Sequence, residues 1–216
     1  MSTPHTFIDD FLKANAKWMT KSALREIAVL NALSHEVRPD GTGFVDHPND
    51  PGGATNYGIS LRFLKAHTED LDLDGIMDYD LDGDGDIDAE DIRALTIDQA
   101  GEIYIKEFWY PTQIHKLPPR LAVKVFDMAI NMGPKQAIKL LQRTLNAAAY
   151  SDKVLQVDGV IGPATINLAR NLSRNGFASS LMGALRGRVL GFYQMLAQNN
   201  PKLSVFLTGW SRRASS

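Results

Sequence analysis

Apolar residues recur at helical spacing along most of this chain, and the gaps between the stripes hold its polar and glycine-rich segments. Leu24, Ile27, Leu30 and Leu33 form the first stripe, which predicts a buried helix ending just before Glu36. The segment that follows, EVRPDGTGFVDHPNDPGGATNYGIS from Glu36 to Ser60, is rich in Pro and Gly and predicts tight turns or a short hairpin. Thr96 and Gln99 make a capping box that opens a helix toward Ile103, Ile105, Phe108 and Trp109. Leu121, Val125, Met128 and Met132 give another stripe. Gly133 and Pro134 end that helix and start one carrying Ile138, Leu141 and Leu145. DGVIGPAT reads as a turn followed by a proline-started helix, and Leu181, Leu185, Val189, Phe192 and Leu196 mark the longest C-terminal helix. Such stripes are core before they are anything else. The pattern predicts a mainly α fold.

Composition narrows the class. At 216 residues and 44% hydrophobic content, the chain can hold one ordinary domain or a catalytic domain with a small appendage. No apolar run approaches the roughly 18 residues of a membrane span, and Arg186 and Arg188 interrupt the most apolar C-terminal stretch. The N-terminus lacks the apolar core of a signal peptide, because Asp9, Asp10, Lys13 and Lys17 break it. Zero cysteines exclude disulfides, thiolate metal sites and cysteine nucleophiles. His5, His35, His47, His67 and His115 show no HExxH or paired ligand spacing, and no GxSxG elbow, phosphate loop or dinucleotide fingerprint occurs.

The net charge of −2 conceals a strong asymmetry. Residues 69–91 hold twelve of the 25 acidic residues and no Lys or Arg, and from Arg93 onward 16 basic residues face 6 acidic ones. That bias would draw the protein to a polyanion, although solvated helix faces explain scattered Lys and Arg equally well. Within the acidic run, Asp80, Asp82, Asp84, Gly85, Asp86, Ile87 and Asp91 fit the twelve-residue calcium loop. They supply oxygen ligands at positions 1, 3 and 5, Gly at 6, a backbone carbonyl at 7 and a carboxylate at 12. The expected metal ligands are therefore Asp80, Asp82, Asp84, Asp86 and Asp91, holding a structural calcium ion. Asp91 replaces the usual Glu, as in the variant loops of dockerins. A second loop begins at Asp70, Asp72, Asp74, Gly75 and Asp78 but ends on Leu81, where a carboxylate is needed, so one ion is expected. The bland alternative is a disordered acidic spacer.

Glu36 carries the chemistry. A carboxyl at the end of a buried helix is half shielded by its own core, and shielding of that kind keeps a proton available near neutrality. Asp46, Asp50, Thr55 and Asn56 lie in the turn-rich segment expected to face it. An acid on one wall and polar groups on the other is the arrangement glycoside cleavage needs. Capping of Asx-Pro turns is the competing role for Asp46 and Asp50.

Glu36 followed by DHPNDPGGATNYGIS resembles the N-acetylmuramidases of glycoside hydrolase family 108, whose pattern runs Glu-Gly-Gly, a short spacer and DPxDPGGxTNxGI. Here Val37, Arg38, Pro39, Asp40 and Gly41 follow the glutamate, so VRPDGTGF reads as a small insertion. FDMAINMG at 126–133 is similar to the family's FDxAxNxG segment, and LQRTLN with VDGVIGPATINLA resembles the peptidoglycan-binding region that closes these enzymes. The resemblance implies a lysozyme-like fold with a short hairpin at the cleft. It implies a muramidase domain over 20–135 with the calcium loop inserted at 69–91, then a helical peptidoglycan-binding region over 136–216.

It further implies an endolysin-type, phage-associated enzyme that cuts the β-1,4 bond between N-acetylmuramic acid and N-acetylglucosamine. Glu36 would be the general acid, Asp50 and Thr55 its partners, and Asn56, Tyr57, Trp109 and Asn131 would contact the sugar. A monomer is expected, with peptidoglycan as partner, no nucleic acid and no organic cofactor. Made in the bacterial cytoplasm without a signal, it would reach the wall through a holin, a secretion route or lysis. A lytic transglycosylase and a noncatalytic, calcium-dependent wall-binding protein are the alternatives.

Overall fold

The computed structural model describes residues 4–16, 18–38, 41–46, 52–71, 73, 75–149, 154–174 and 177–216. The fold is mainly helical, as the stripes predict, with one two-stranded antiparallel sheet among the described residues. The chain packs as two compact units, 33–103 and a larger one made of 1–32 with 104–216.

The larger unit begins with α1 (Pro4–Asn15) and α2 (Lys21–Leu33), whose last residue passes into the smaller unit. On α2 the buried positions are Leu24, Ala28, Ala32 and Leu33, while Leu30 of the expected stripe is 65% exposed. A π-helical turn (Ile105–Trp109) and a 3-10 turn (Ile114–Lys116) lead into α6 (Pro119–Met132). Every residue of α6 from Leu121 to Ala129 is buried, including Lys124 and Asp127. A helix apolar on only one face would not be buried all round, so the two charges need partners. Arg213 supplies one: its Nε donates to Asp127 Oδ1 at 2.8 Å. Lys124 Nζ lies 3.7 Å from Asp127 Oδ2 and donates to the Arg213 carbonyl at 2.5 Å. Burial pulls the Lys124 amine down to about 8, against the attraction of Asp127.

Beyond α6 come α7 (Pro134–Ala148), which packs on it, α8 (Pro163–Arg174), α9 (Ala178–Asn199), which packs on α7 and α8, and α10 (Leu207–Ser215), which packs on α9 after a 3-10 turn (Pro201–Phe206). Both proline starts, at Pro134 and Pro163, stand where the sequence places them, and α9 is the longest helix described. The DGVIGP turn is tied to α7 by Gln142, whose Nε2 donates to Asp158 Oδ1 at 2.7 Å and to the Val160 carbonyl at 3.0 Å. The bond from Gln142, with that from the N–H of Val160, holds the Asp158 carboxyl below its ordinary range.

The smaller unit holds β1 (Thr55–Asn56), β2 (Ile59–Ser60), α3 (Leu61–Lys65), α4 (Ala89–Ala94) and most of α5 (Ile97–Tyr104). The strands pair Thr55 with Ser60 and Asn56 with Ile59. Tyr57 and Gly58 form the connecting turn with φ of 46° and 78°, the left-handed pair that a two-residue hairpin turn requires. The predicted capping box opens α5: Gln99 N–H donates to Thr96 Oγ1 at 3.3 Å, and Thr96 N–H donates to Gln99 Oε1 at 2.8 Å. Ile59, Leu64, Tyr79, Ile87, Ile92 and Leu95 supply its core.

Candidate active site and acidic loop

Glu36 sits in the turn that leaves α2, half-buried, with its N–H donating to the Leu33 carbonyl at 2.9 Å. The insertion after it is closed at its base, because Arg38 N–H donates to the Thr42 carbonyl at 2.8 Å. The described chain continues from that bond through Gly43 and Phe44. Val45 then bridges Thr55, each N–H donating to the other's carbonyl at 2.7 Å. Gly43 passes directly over the hairpin: a Cβ there would lie 2.4 Å from Tyr57 Cδ1 and 2.8 Å from Asn56 Oδ1. Only glycine permits that approach. The segment after Glu36 is thus laid on the hairpin that carries Thr55, Asn56 and Tyr57.

Each expected site residue has a definite place. Thr55 is half-buried in β1, its hydroxyl donating weakly to the Gly53 carbonyl at 3.4 Å. Asn56 is 5% exposed, and its Nδ2 donates to the Ile92 and Leu95 carbonyls at 2.9 and 3.2 Å, so it clamps the hairpin to the end of α4. Tyr57 is half-buried in the turn. Asp46 is exposed, and Asp50 lies outside the described residues. Trp109 and Asn131 belong to the larger unit. The Trp109 ring is 2% exposed and stands edge-on to Phe126 at 5.1 Å, the packing of a core aromatic, which leaves no face open to a sugar. Asn131 is exposed at the end of α6 and accepts the Tyr193 hydroxyl at 2.7 Å. Tyr110, beside Trp109, is the exposed aromatic of that segment. Its hydroxyl accepts from Arg25 Nη1 at 3.4 Å and its ring lies 5.3 Å from that of His115.

The acidic loop folds on its own carboxylates. Asp80 Oδ1 accepts the N–H groups of Gly83 and Asp84, and its Oδ2 accepts that of Gly85, at 2.8 to 3.2 Å. Asp91 is 1% exposed in the first turn of α4, forms a capping box with Asp88, and accepts the N–H groups of Leu81 and Asp88 at 2.6 Å each. Asp91 is therefore the clasp that closes the loop. Asp80, Asp82 and Asp84 each bring one carboxylate oxygen to within 4.8 Å of the others, whereas Asp86 is exposed beside them. Desolvation and the charges of Asp84, Asp91 and Asp80 raise the Asp82 carboxyl, and Asp84 chiefly raises that of Asp86. Converging hard oxygens under mutual repulsion suit a hard divalent cation. Upstream, Asp70 and Asp78 make a similar turn, accepting from Gly75 and Leu71 N–H at 2.9 Å each.

A mainly helical fold with one small antiparallel hairpin, following the helix that leads to Glu36, is that of the lysozyme-like helical class. Residues 33–133 match the family described as Glycosyl hydrolase 108, and residues 136–215 match a Predicted Peptidoglycan domain. The chain thus carries a glycosyl hydrolase 108 domain followed by a peptidoglycan-binding domain, the combination of a peptidoglycan hydrolase. It is also similar to the structure of Brucella abortus SagA, at 28% identity and a TM-score of 0.65 over 91% of each chain. No curated protein matches it. The family boundary between residues 133 and 136 falls at the junction of α6 and α7, whereas compact packing joins α6 to the helices that follow.

Proposed function

We propose that this protein hydrolyses the β-1,4 bond between N-acetylmuramic acid and N-acetylglucosamine, with Glu36 as proton donor. The observation that carries the reading is the half-buried Glu36 at the exit of α2, joined through Gly43 and Val45 to the hairpin of Thr55 and Tyr57. A carboxyl there protonates the leaving oxygen. Asp50 and Thr55 orient water on the opposite face of the sugar. A threonine hydroxyl is a weak nucleophile without an adjacent base, which favours inversion at the anomeric carbon. Asp80, Asp82 and Asp84, completed by Asp86 and Asp91, hold a calcium ion that neutralises the loop and fixes its fold. The ion is structural in this reading. The enzyme is bacteriolytic and meets its substrate after release from the cytoplasm through a holin or secretion route.

Digestion of purified peptidoglycan tests the chemistry. Glu36→Gln should lower cleavage by about 10²–10⁴-fold while the chain still folds and binds wall, since Gln keeps the shape without the proton. Retained activity removes Glu36 from the mechanism. An anhydro-sugar product, read by mass, makes the enzyme a transglycosylase instead. A β anomer at the new reducing end, read by magnetic resonance, contradicts the water-positioning role of Asp50 and Thr55.

A further inference from the structure

A groove of about 750 Å³ opens in the larger unit between α1, the start of α6, the end of α8 and the start of α9. Its floor is apolar, with Leu12, Leu121 and Met182 buried beneath Pro118 and Pro119. Its rim carries Lys13, Arg120, Arg170 and Arg174, and no acidic residue lines it among the described residues. Two of the cations are braced: Arg170 Nη2 donates to the Lys116 carbonyl at 3.2 Å, and Arg120 Nη1 to Ser179 Oγ at 3.5 Å. A third, Lys13, is paired with the exposed Asp10 at 2.9 Å.

We propose that this groove binds the peptide stem of peptidoglycan, an inference that rests on the wall-hydrolase reading above. The volume is that of a small-ligand site. Neutral sugars are held by aromatic faces and paired hydrogen bonds, and no described lining residue is aromatic. A rim rich in guanidinium groups favours an anionic ligand, and a stem peptide offers side-chain and terminal carboxylates that guanidinium groups take in bidentate fashion. The apolar floor selects further. Alanine methyls and the aliphatic arm of a diamino acid can cover Leu12, Leu121 and Met182, whereas a polyphosphate chain would leave that surface against water. The groove therefore grips the cross-linking arm of the wall, and the glycan is left for the unit that holds Glu36.

The test is titration of the full-length protein with the sugar-free tetrapeptide L-Ala-D-Glu-diaminopimelate-D-Ala, alongside wall digestion by the same preparation. Saturable binding is expected, weakening with salt and lost when the peptide carboxylates are amidated. Arg174→Glu should weaken it about tenfold, and Arg170→Glu similarly, with melting temperatures used to exclude unfolding. Absence of peptide binding, binding indifferent to both charge reversals, or tighter binding of polyglycerol phosphate than of the peptide would each overturn the assignment. Wall cleavage without peptide binding removes the groove and leaves the hydrolase. Peptide binding without wall cleavage supports the groove and removes the hydrolase.

Discussion

The two compact units are stabilised by different means. In the larger unit, α6 is buried from Leu121 to Ala129, and its two buried charges are answered from far along the chain by Arg213. The smaller unit makes less use of apolar burial. Its hairpin has two-residue strands, Asn56 clamps it by side-chain hydrogen bonds, and carboxylates accepting backbone N–H groups shape its acidic loop. One region is set by packing and the other by local polar bonds that leave charge uncompensated. A scaffold needs the first kind of stability, whereas loops that carry polar and charged groups tolerate the second.

The largest break in this comparison should come at Asp127. Replacing it by Ala leaves Arg213 and Lys124 buried without their counter-charge, and removing one partner of a buried pair costs about 3–5 kcal/mol. Denaturant unfolding should show that loss, with hydrogen-exchange protection falling in α6 and α10. A change below about 1 kcal/mol would mean that water reaches the network and that the larger unit is not dry at its centre.

Lys124 gives the next effect. Its folded pKa of about 8 lies below the ordinary 10.5, so between these values the unfolded chain holds a proton that the folded chain has lost. Stability should therefore rise as pH climbs through that window. Below it, the cost of burying the ammonium is present in full, roughly 3 kcal/mol at 1.36 kcal/mol per unit. Lys124→Met should abolish this rise while keeping the Asp127 to Arg213 bond. An identical pH dependence in both proteins would sink the assignment.

Calcium should act on the other region. A ligand present at a hundredfold excess over its dissociation constant stabilises by about 2.7 kcal/mol, so chelation should lower the melting of residues 33–103 and slow exchange should disappear from 80–91. The larger unit should not respond. Equal melting curves in chelator and in calcium would mean that the Asp91 clasp and the Asp80 turn hold the loop unaided.

How much of this was legible in the sequence follows the same divide. The Thr96 and Gln99 capping box, the proline starts at Pro134 and Pro163 and a short hairpin after Glu36 are all encoded within a few neighbouring residues. All of them appear in the structure. What escaped depends on distant partners. The lock of Lys124 and Asp127 on Arg213 spans more than 80 residues. Leu30 matches the helical period yet is exposed, and Trp109 looks like a sugar platform yet is core, because period and residue type do not say what packs opposite. The amphipathic helix α1 and the π-helical turn before Trp109 also went unread, the latter because no local code specifies it. At the candidate site the hairpin could be found from motif spacing. The closure of the insertion between Arg38 and Thr42, and the need for glycine at Gly43, could be seen only once the chain was folded.

The smallest effect, and the one that separates the regions by sign, comes from two glycines in open space. Gly85 has φ of 96° in the acidic loop, and a Cβ there meets nothing within 4 Å. Gly85→Ala should therefore destabilise through the backbone alone, by about 1–2 kcal/mol, because an L-residue is forced into a left-handed conformation. Gly183 lies inside α9, also with nothing within 4 Å and without a left-handed φ. Gly183→Ala should stabilise by roughly 0.5–1 kcal/mol, since alanine loses less backbone entropy on entering a helix. Neither change touches a carboxylate or fills a cavity, so the pair isolates conformation from charge and packing. If Gly85→Ala left stability unchanged or raised it, the loop at Gly85 would not hold the turn that places Asp80 and Asp84 together, and the contrast between a locally shaped region and a packed one would fail at its simplest point.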